Sequence, residues 1–181
     1  MLATIQYRRD RAVAYARRWA LARNPLFENY TGIGGDCTNF VSQAIYAGGC
    51  VMNYTPTFGW YYISSTDRAP AWTGVEFFYN FMTSNEEIGP YAREVGEGEL
   101  ELGDVVQLGD ESGDFHHALI VVGFSEEGYL IAAHSNDALD RPLSSYTYYR
   151  ARYLHIEGIR IEIPDRYAPN CFRDFITGRR I

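Results

Sequence analysis

Lysine is absent from this chain; all sixteen of its cations are arginine. That removes the amine side chain from the list of possible nucleophiles and general bases. Cysteine is scarce, with Cys37, Cys50 and Cys171 the only three. An odd, small number argues against a disulfide framework, and Cys50 and Cys171 read as core or loop cysteines. No apolar run approaches the roughly 20 residues that span a bilayer. The opening MLATIQYRRDR holds no apolar stretch of the kind a secretory signal needs, so the chain as it stands reads as soluble and unexported. Positive charge is in deficit, 16 cations against 23 acids for a net of −7, which argues against a nucleic-acid binder that neutralises phosphates.

What is present suits a folded protein. Apolar residues are 46% and charged ones 22% of 181 residues, and a chain of that length buries roughly 70% of its unfolded surface. Aromatics are abundant, with 15 Tyr, 10 Phe and 3 Trp. The charge is uneven. Basic ends flank an acidic middle that peaks between Glu86 and Asp114, where Arg93 is the only cation. Such a run is ordinarily a solvated loop; beside a site it would repel anionic ligands.

No repeat or low-complexity linker divides the chain, so residues 1–181 read as one domain. Ala12, Tyr15, Ala16, Trp19 and Ala20 recur at helical spacing and predict a helix over 6–23, stopped by Asn24-Pro25. A second helix is expected from Asp36 to Ala47, ended by Gly48-Gly49, and a third from Val75 to Ser84. Residues 50–74 read as an irregular excursion. Strands follow at Asp104–Leu108, Ala118–Phe124, Tyr129–His134 and Tyr153–Ile163, the last closed by Pro164. Helices first and a mainly antiparallel sheet afterwards is the α+β pattern.

Cys37 follows Gly34-Gly35-Asp36 at the start of the second helix. Unpaired backbone N–H groups and the positive end of the helix dipole favour a thiolate there, and the same N–H groups could hold an oxyanion. A small buried apolar cysteine is the bland alternative. His116-His117 stands at the head of the apolar strand 118–124, and His134-Ser135-Asn136-Asp137 at the end of its partner. If Phe124 pairs with Tyr129, Asn136 lies opposite His117 with His134 diagonal to it, all on one face. A one-residue slip would send both to the other face. Either polar group could then fix the imidazole tautomer of a Cys-His site.

The run Gly35-Asp36-Cys37-Thr38-Asn39-Phe40-Val41-Ser42-Gln43, followed by Ala47-Gly48-Gly49, resembles the signature of a bacterial amidase domain family. That family belongs to the papain-like superfamily with NlpC-type cell-wall peptidases and CHAP amidases. The likeness extends to the arginine-rich first helix, Trp60-Tyr61, Trp72, Gly103-Asp104-Val105-Val106, His117 and His134-Ser135. It implies a papain-like fold with Cys37 as nucleophile, His117 as general base and His134 as the residue orienting it. The doublet leaves His116 as the other candidate base, and the strand pairing leaves Asn136 as the other orienting group.

By that resemblance the chain is a cysteine amidase or peptidase acting on a peptide or cell-wall-like amide through a thioester. Acyl transfer on the same site, or an inert binding module of this fold, are the rival readings. No cofactor or metal is called for, since neither Cys50 nor Cys171 has neighbouring His or Cys to complete a zinc site. Trp60-Tyr61-Tyr62 and Trp72 either close over the core or line a substrate groove, with Trp60 and Trp72 the candidate substrate-binding residues.

Overall fold

The computed structural model describes residues 1–163 and 171–179. It is an α+β arrangement in which helices pack on an antiparallel sheet. Helix α1 (Arg9–Trp19) buries Ala12, Tyr15, Ala16 and Trp19, the stripe read from the sequence. It is shorter than expected at both ends, because Leu2–Ile5 forms strand β1 and the chain turns before Asn24. Asn24 holds that turn from inside, donating to the Tyr15 hydroxyl at 2.9 Å and accepting from the Leu26 amide at 3.0 Å. Helix α2 (Asp36–Gly49) is buried on nearly every face and forms the centre of the core. Gly48 belongs there because a Cβ would lie 2.3 Å from the Tyr7 ring. Beyond it come α3 (Pro70–Thr73) and α4 (Val75–Ser84), the latter where helical spacing puts it.

The remaining strands are β2 (Gly89–Val95), β3 (Val105–Gly109), β4 (Phe115–Ser125), β5 (Gly128–Ala133), β6 (Ala138–Pro142) and β7 (Arg150–Glu162). Their order is β1-β7-β3-β4-β5-β6, with β2 also paired to β7. Pro164, expected to close the last strand, lies outside the described residues. The sheet is buried on both faces. Val105, Ala118, Ile120, Val122 and Ala132 pack with α2, whereas Val106, Leu108, Leu119, Val121 and Ile131 pack on the far face with Leu100 and Leu143.

The hairpin joins Phe124 to Tyr129 as expected, but the register shifts between Val121 and Gly123. Ile120 consequently faces Ala132 rather than Ala133. That slip of one residue reverses which face every later residue of β5 presents.

A second correction concerns the cysteines. Cys50 and Cys171 form a disulfide with Cα atoms 5.8 Å apart, joining the end of α2 to helix α5 (Cys171–Thr177). Phe175 of α5 lies 5.0 Å from the Tyr15 ring, 5.2 Å from Phe27 and 4.9 Å from Tyr46. Burial of one such side chain stabilises by roughly 1.5–3 kcal/mol. Among the described residues, no helix is long and apolar enough to cross a membrane.

Candidate active site

Cys37 occupies the first turn of α2. Gly35 precedes that turn with φ of 95°, and a Cβ on it would sit 2.8 Å from the Thr73 carbonyl oxygen, so only glycine fits. The first helical hydrogen bond runs from the Asn39 amide to the Gly35 carbonyl at 2.9 Å. The amides of Asp36, Cys37 and Thr38 therefore have no acceptor within the helix. Cys37 is 5% exposed; its thiol faces the Ala118 amide of β4 and lies 3.9 Å from the Thr38 hydroxyl. Burial pushes its pKa up, outweighing those donors. The sequence suggested the opposite shift; desolvation wins because the thiol faces the packed sheet rather than open solvent.

Asp36, next to it, is fully buried and gathers a dense set of donors. One oxygen accepts from the Tyr30 amide at 3.0 Å and the Asn39 side-chain amide at 3.1 Å. The other lies 3.1 Å from Arg23 Nε, 3.2 Å from the Thr31 hydroxyl and 3.1 Å from His134 Nδ1. Burial alone would raise this carboxyl, but His134, Tyr30 and Asn39 together hold it well below the usual carboxylate range. Arg23 carries the network outward to Asp137 at 2.8 Å. His134 itself is buried and stacks on Phe40 with ring centroids 4.0 Å apart. Its Nε2 lies 2.8 Å from the Trp19 carbonyl oxygen, which only accepts, so Nε2 carries the proton. Its Nδ1, 3.1 Å from the Asp36 carboxylate but off the line of a hydrogen bond, lowers the Asp36 carboxyl through charge only when it is protonated as well.

The two histidines of the expected triad are on opposite faces of the sheet. His117 pairs with Leu108 and its ring lies 6.1 Å from Tyr146, on the face away from α2. There, burial and the neighbouring charges of His116 and Arg141 pull its pKa down to about 4. His134 lies on the α2 face with Cys37. The cause is the bulge at Val121–Gly123: continuing the slipped register puts His134 beside Ala118 instead of diagonal to His117. Asn136, the other candidate, has φ of 84° in the turn beyond β5 and is not paired with His117.

His116 is placed differently. A second bulge, opposite Leu108–Gly109, leaves it without a cross-strand partner, and its ring is exposed at the mouth of β4. Its Nδ1 lies 3.2 Å from the Asp114 carbonyl oxygen. A carbonyl there selects the tautomer with Nδ1 protonated and Nε2 free as a base. Phe115, beside it, is held by Arg152, whose guanidinium lies 4.0 Å from the Phe115 ring centroid and 3.7 Å from that of Tyr79. Arg152 also donates to Gln107 at 2.7 Å and to Glu76 at 2.7 Å, so β7, β3 and α4 converge on the strand mouth.

Trp60 and Trp72 are fully buried. Trp60 Nε1 donates to the Ser42 hydroxyl and Trp72 Nε1 to the side-chain Oδ1 of Asn39, both at 3.0 Å. Their rings fasten the excursion to α2 and offer no surface to a substrate. Asp36 and Arg152 were not singled out from the sequence. For Asp36 the signal was its place inside Gly-Asp-Cys; for Arg152 there was none, since its partners are distant in the chain.

Residues 6–156 match the model of the family described as "Putative amidase domain". The chain belongs to that family. Cys37, His116, His117 and His134 all fall in the matched stretch, whereas Cys171 lies beyond it. A relative is the "Uncharacterized protein YhbB" of Bacillus subtilis (strain 168), 36% identical over 121 residues. The match takes in 65% of this chain but 37% of that protein, so the chain spans little more than a third of it. No solved structure matches. Membership in the amidase domain family supports amide hydrolysis as the broad activity.

Proposed function

We propose that the protein is a cysteine-dependent amide hydrolase of papain-like type, with Cys37 as nucleophile and His116, rather than His117, as general base. The observation that carries this reading is the placement of the Cys37 thiol in the first turn of α2, facing Ala118 of β4, the strand near whose start His116-His117 stands. Within the doublet, His117 is committed to the far face and is too weak a base at neutral pH, whereas His116 has a free Nε2.

At rest the buried thiol is neutral, so its proton moves to His116 Nε2 as sulfur attacks the amide carbonyl carbon. The oxyanion is received by the unpaired amides at the start of α2. Collapse breaks the C–N bond, and the imidazolium gives its proton to the departing amine. Water, deprotonated by His116, then cleaves the thioester and restores the thiol. His134 acts at a distance: with Asp36 it fixes the turn that carries Cys37, as a positioning residue. The disulfide fits oxidising surroundings, which favours an exported site of action.

The test is Cys37→Ala against a panel of peptide amides and muropeptides. Hydrolysis is expected to fall by at least about 10³-fold. An undiminished rate in the variant would remove Cys37 from the mechanism.

A further inference from the structure

A groove of about 660 Å³ lies between α4 and the excursion that follows α2, a volume that suits a small ligand. Its apolar walls are Phe58, 83% exposed, and Phe77, 61% exposed. Thr57, beside Phe58, has φ of 65°, a conformation that costs a β-branched residue energy and turns the chain at the rim. Asn80 and Ser84 of α4 line one side, and Glu86 and Glu87 close one end. Neither carboxylate has an ion-pair partner among the described residues, and no arginine lines the groove. A smaller depression shares Pro70 and Phe77 with it and reaches Thr73, whose carbonyl abuts Gly35 just ahead of Cys37.

We propose that this groove binds the amine-bearing part of an amphipathic ligand, its ammonium beside Glu86 and Glu87 and its apolar body against Phe58 and Phe77. Two exposed apolar rings in a concavity exclude water from a flat or aliphatic group. Two unpaired carboxylates at one end set the sign of charge the ligand carries there and turn anions away. Continuity through Phe77 and Thr73 makes the ligand part of the substrate delivered to Cys37. That last assignment rests on the proposed function; the binding itself does not.

The test uses the Cys37→Ala protein with three probes of one shape: 2-phenylethylamine, 2-phenylethanol and 3-phenylpropionate. Amide NMR shifts report where each binds. The amine is expected to bind about fivefold or more tighter than the alcohol, and the acid more weakly than either, with the difference shrinking in high salt. Shifts are expected at Phe58, Phe77 and Asn80. The Glu86→Gln, Glu87→Gln double variant, both sites being exposed, is expected to abolish the preference for the amine. Equal affinity for amine and acid, shifts elsewhere, or an unchanged preference in the double variant would overturn the proposal. Because Cys37 is absent from this protein, failure here leaves the hydrolase reading standing, and failure of that reading leaves the binding result intact.

Discussion

Helix α2 carries a cysteine near each end, and the two differ in every physical respect. Cys37 sits in the first turn, among backbone amides that lack acceptors, as a free thiol packed against β4. Cys50 caps the last turn in the left-handed region, with φ of 57°, its amide donating to the Tyr46 carbonyl at 2.7 Å. Carbonyl ends of helices disfavour a thiolate, and amide ends favour one. The left-handed cap is a position where glycine is the usual residue, and a side chain there costs about 1 kcal/mol. Cys50 offsets that cost by the covalent bond to Cys171. One helix thus has an anion-receptive end and an anchored end, and residue type alone does not say which cysteine sits at which.

Several substitutions sharpen the contrast. The largest effect is expected at the proposed catalytic end. His116→Ala is expected to lower amide hydrolysis by about 10²–10⁴-fold, whereas His117→Ala should change it by less than about tenfold, read from steady-state rates. The reverse ranking would return the base to His117. At the anchored end, the double change Cys50→Ser with Cys171→Ser is expected to lower unfolding free energy by about 2–5 kcal/mol in denaturant titrations, leaving room-temperature turnover largely intact. A matching loss of activity at full folding would show that the two ends are not independent.

A smaller effect lies on the far face of β4. His117 has a folded pKa near 4, below its ordinary value of 6.5. In that interval the unfolded chain binds the proton and the folded one does not. Its contribution is present above pH 6.5 and lost as pH falls towards 4, on the order of 2 kcal/mol. His117→Leu should flatten stability across that window, measured by thermal melts at stepped pH. The smallest effect isolates the cap. Under reducing conditions Cys50→Gly should be more stable than Cys50→Ala by about 1 kcal/mol, since only the left-handed backbone distinguishes them.

Much of the frame was legible in the sequence, because amphipathic spacing marks α1, and the Gly-Gly boundaries and apolar runs mark α2 and β4. What was not legible has identifiable causes. β4 is apolar on both faces, so its pattern carries no information about register, and the bulge at Val121–Gly123 that moves His134 to the α2 face leaves no trace. β2 begins at Gly89-Pro90 in the acidic stretch and reads as loop, although α4 and β7 bury it. β6 is interrupted by Asp140 in the left-handed region. The disulfide was missed because three cysteines say nothing about which lie close in space. The aromatic segment after α2 divided in a way composition does not show: Trp60, Trp72 and Phe78 entered the core, while Phe58 and Phe77 stayed on the surface.

The central claim is that Cys37 is a nucleophile served by His116. Its most direct test is the rate of iodoacetamide labelling at near-neutral pH in wild type and in His116→Ala, with the site mapped by peptide mass. Cys50 and Cys171 are tied to each other, so Cys37 is the thiol free to react. The account predicts labelling at Cys37 that slows by about tenfold or more when His116 is removed. Equal rates in the two proteins would contradict it.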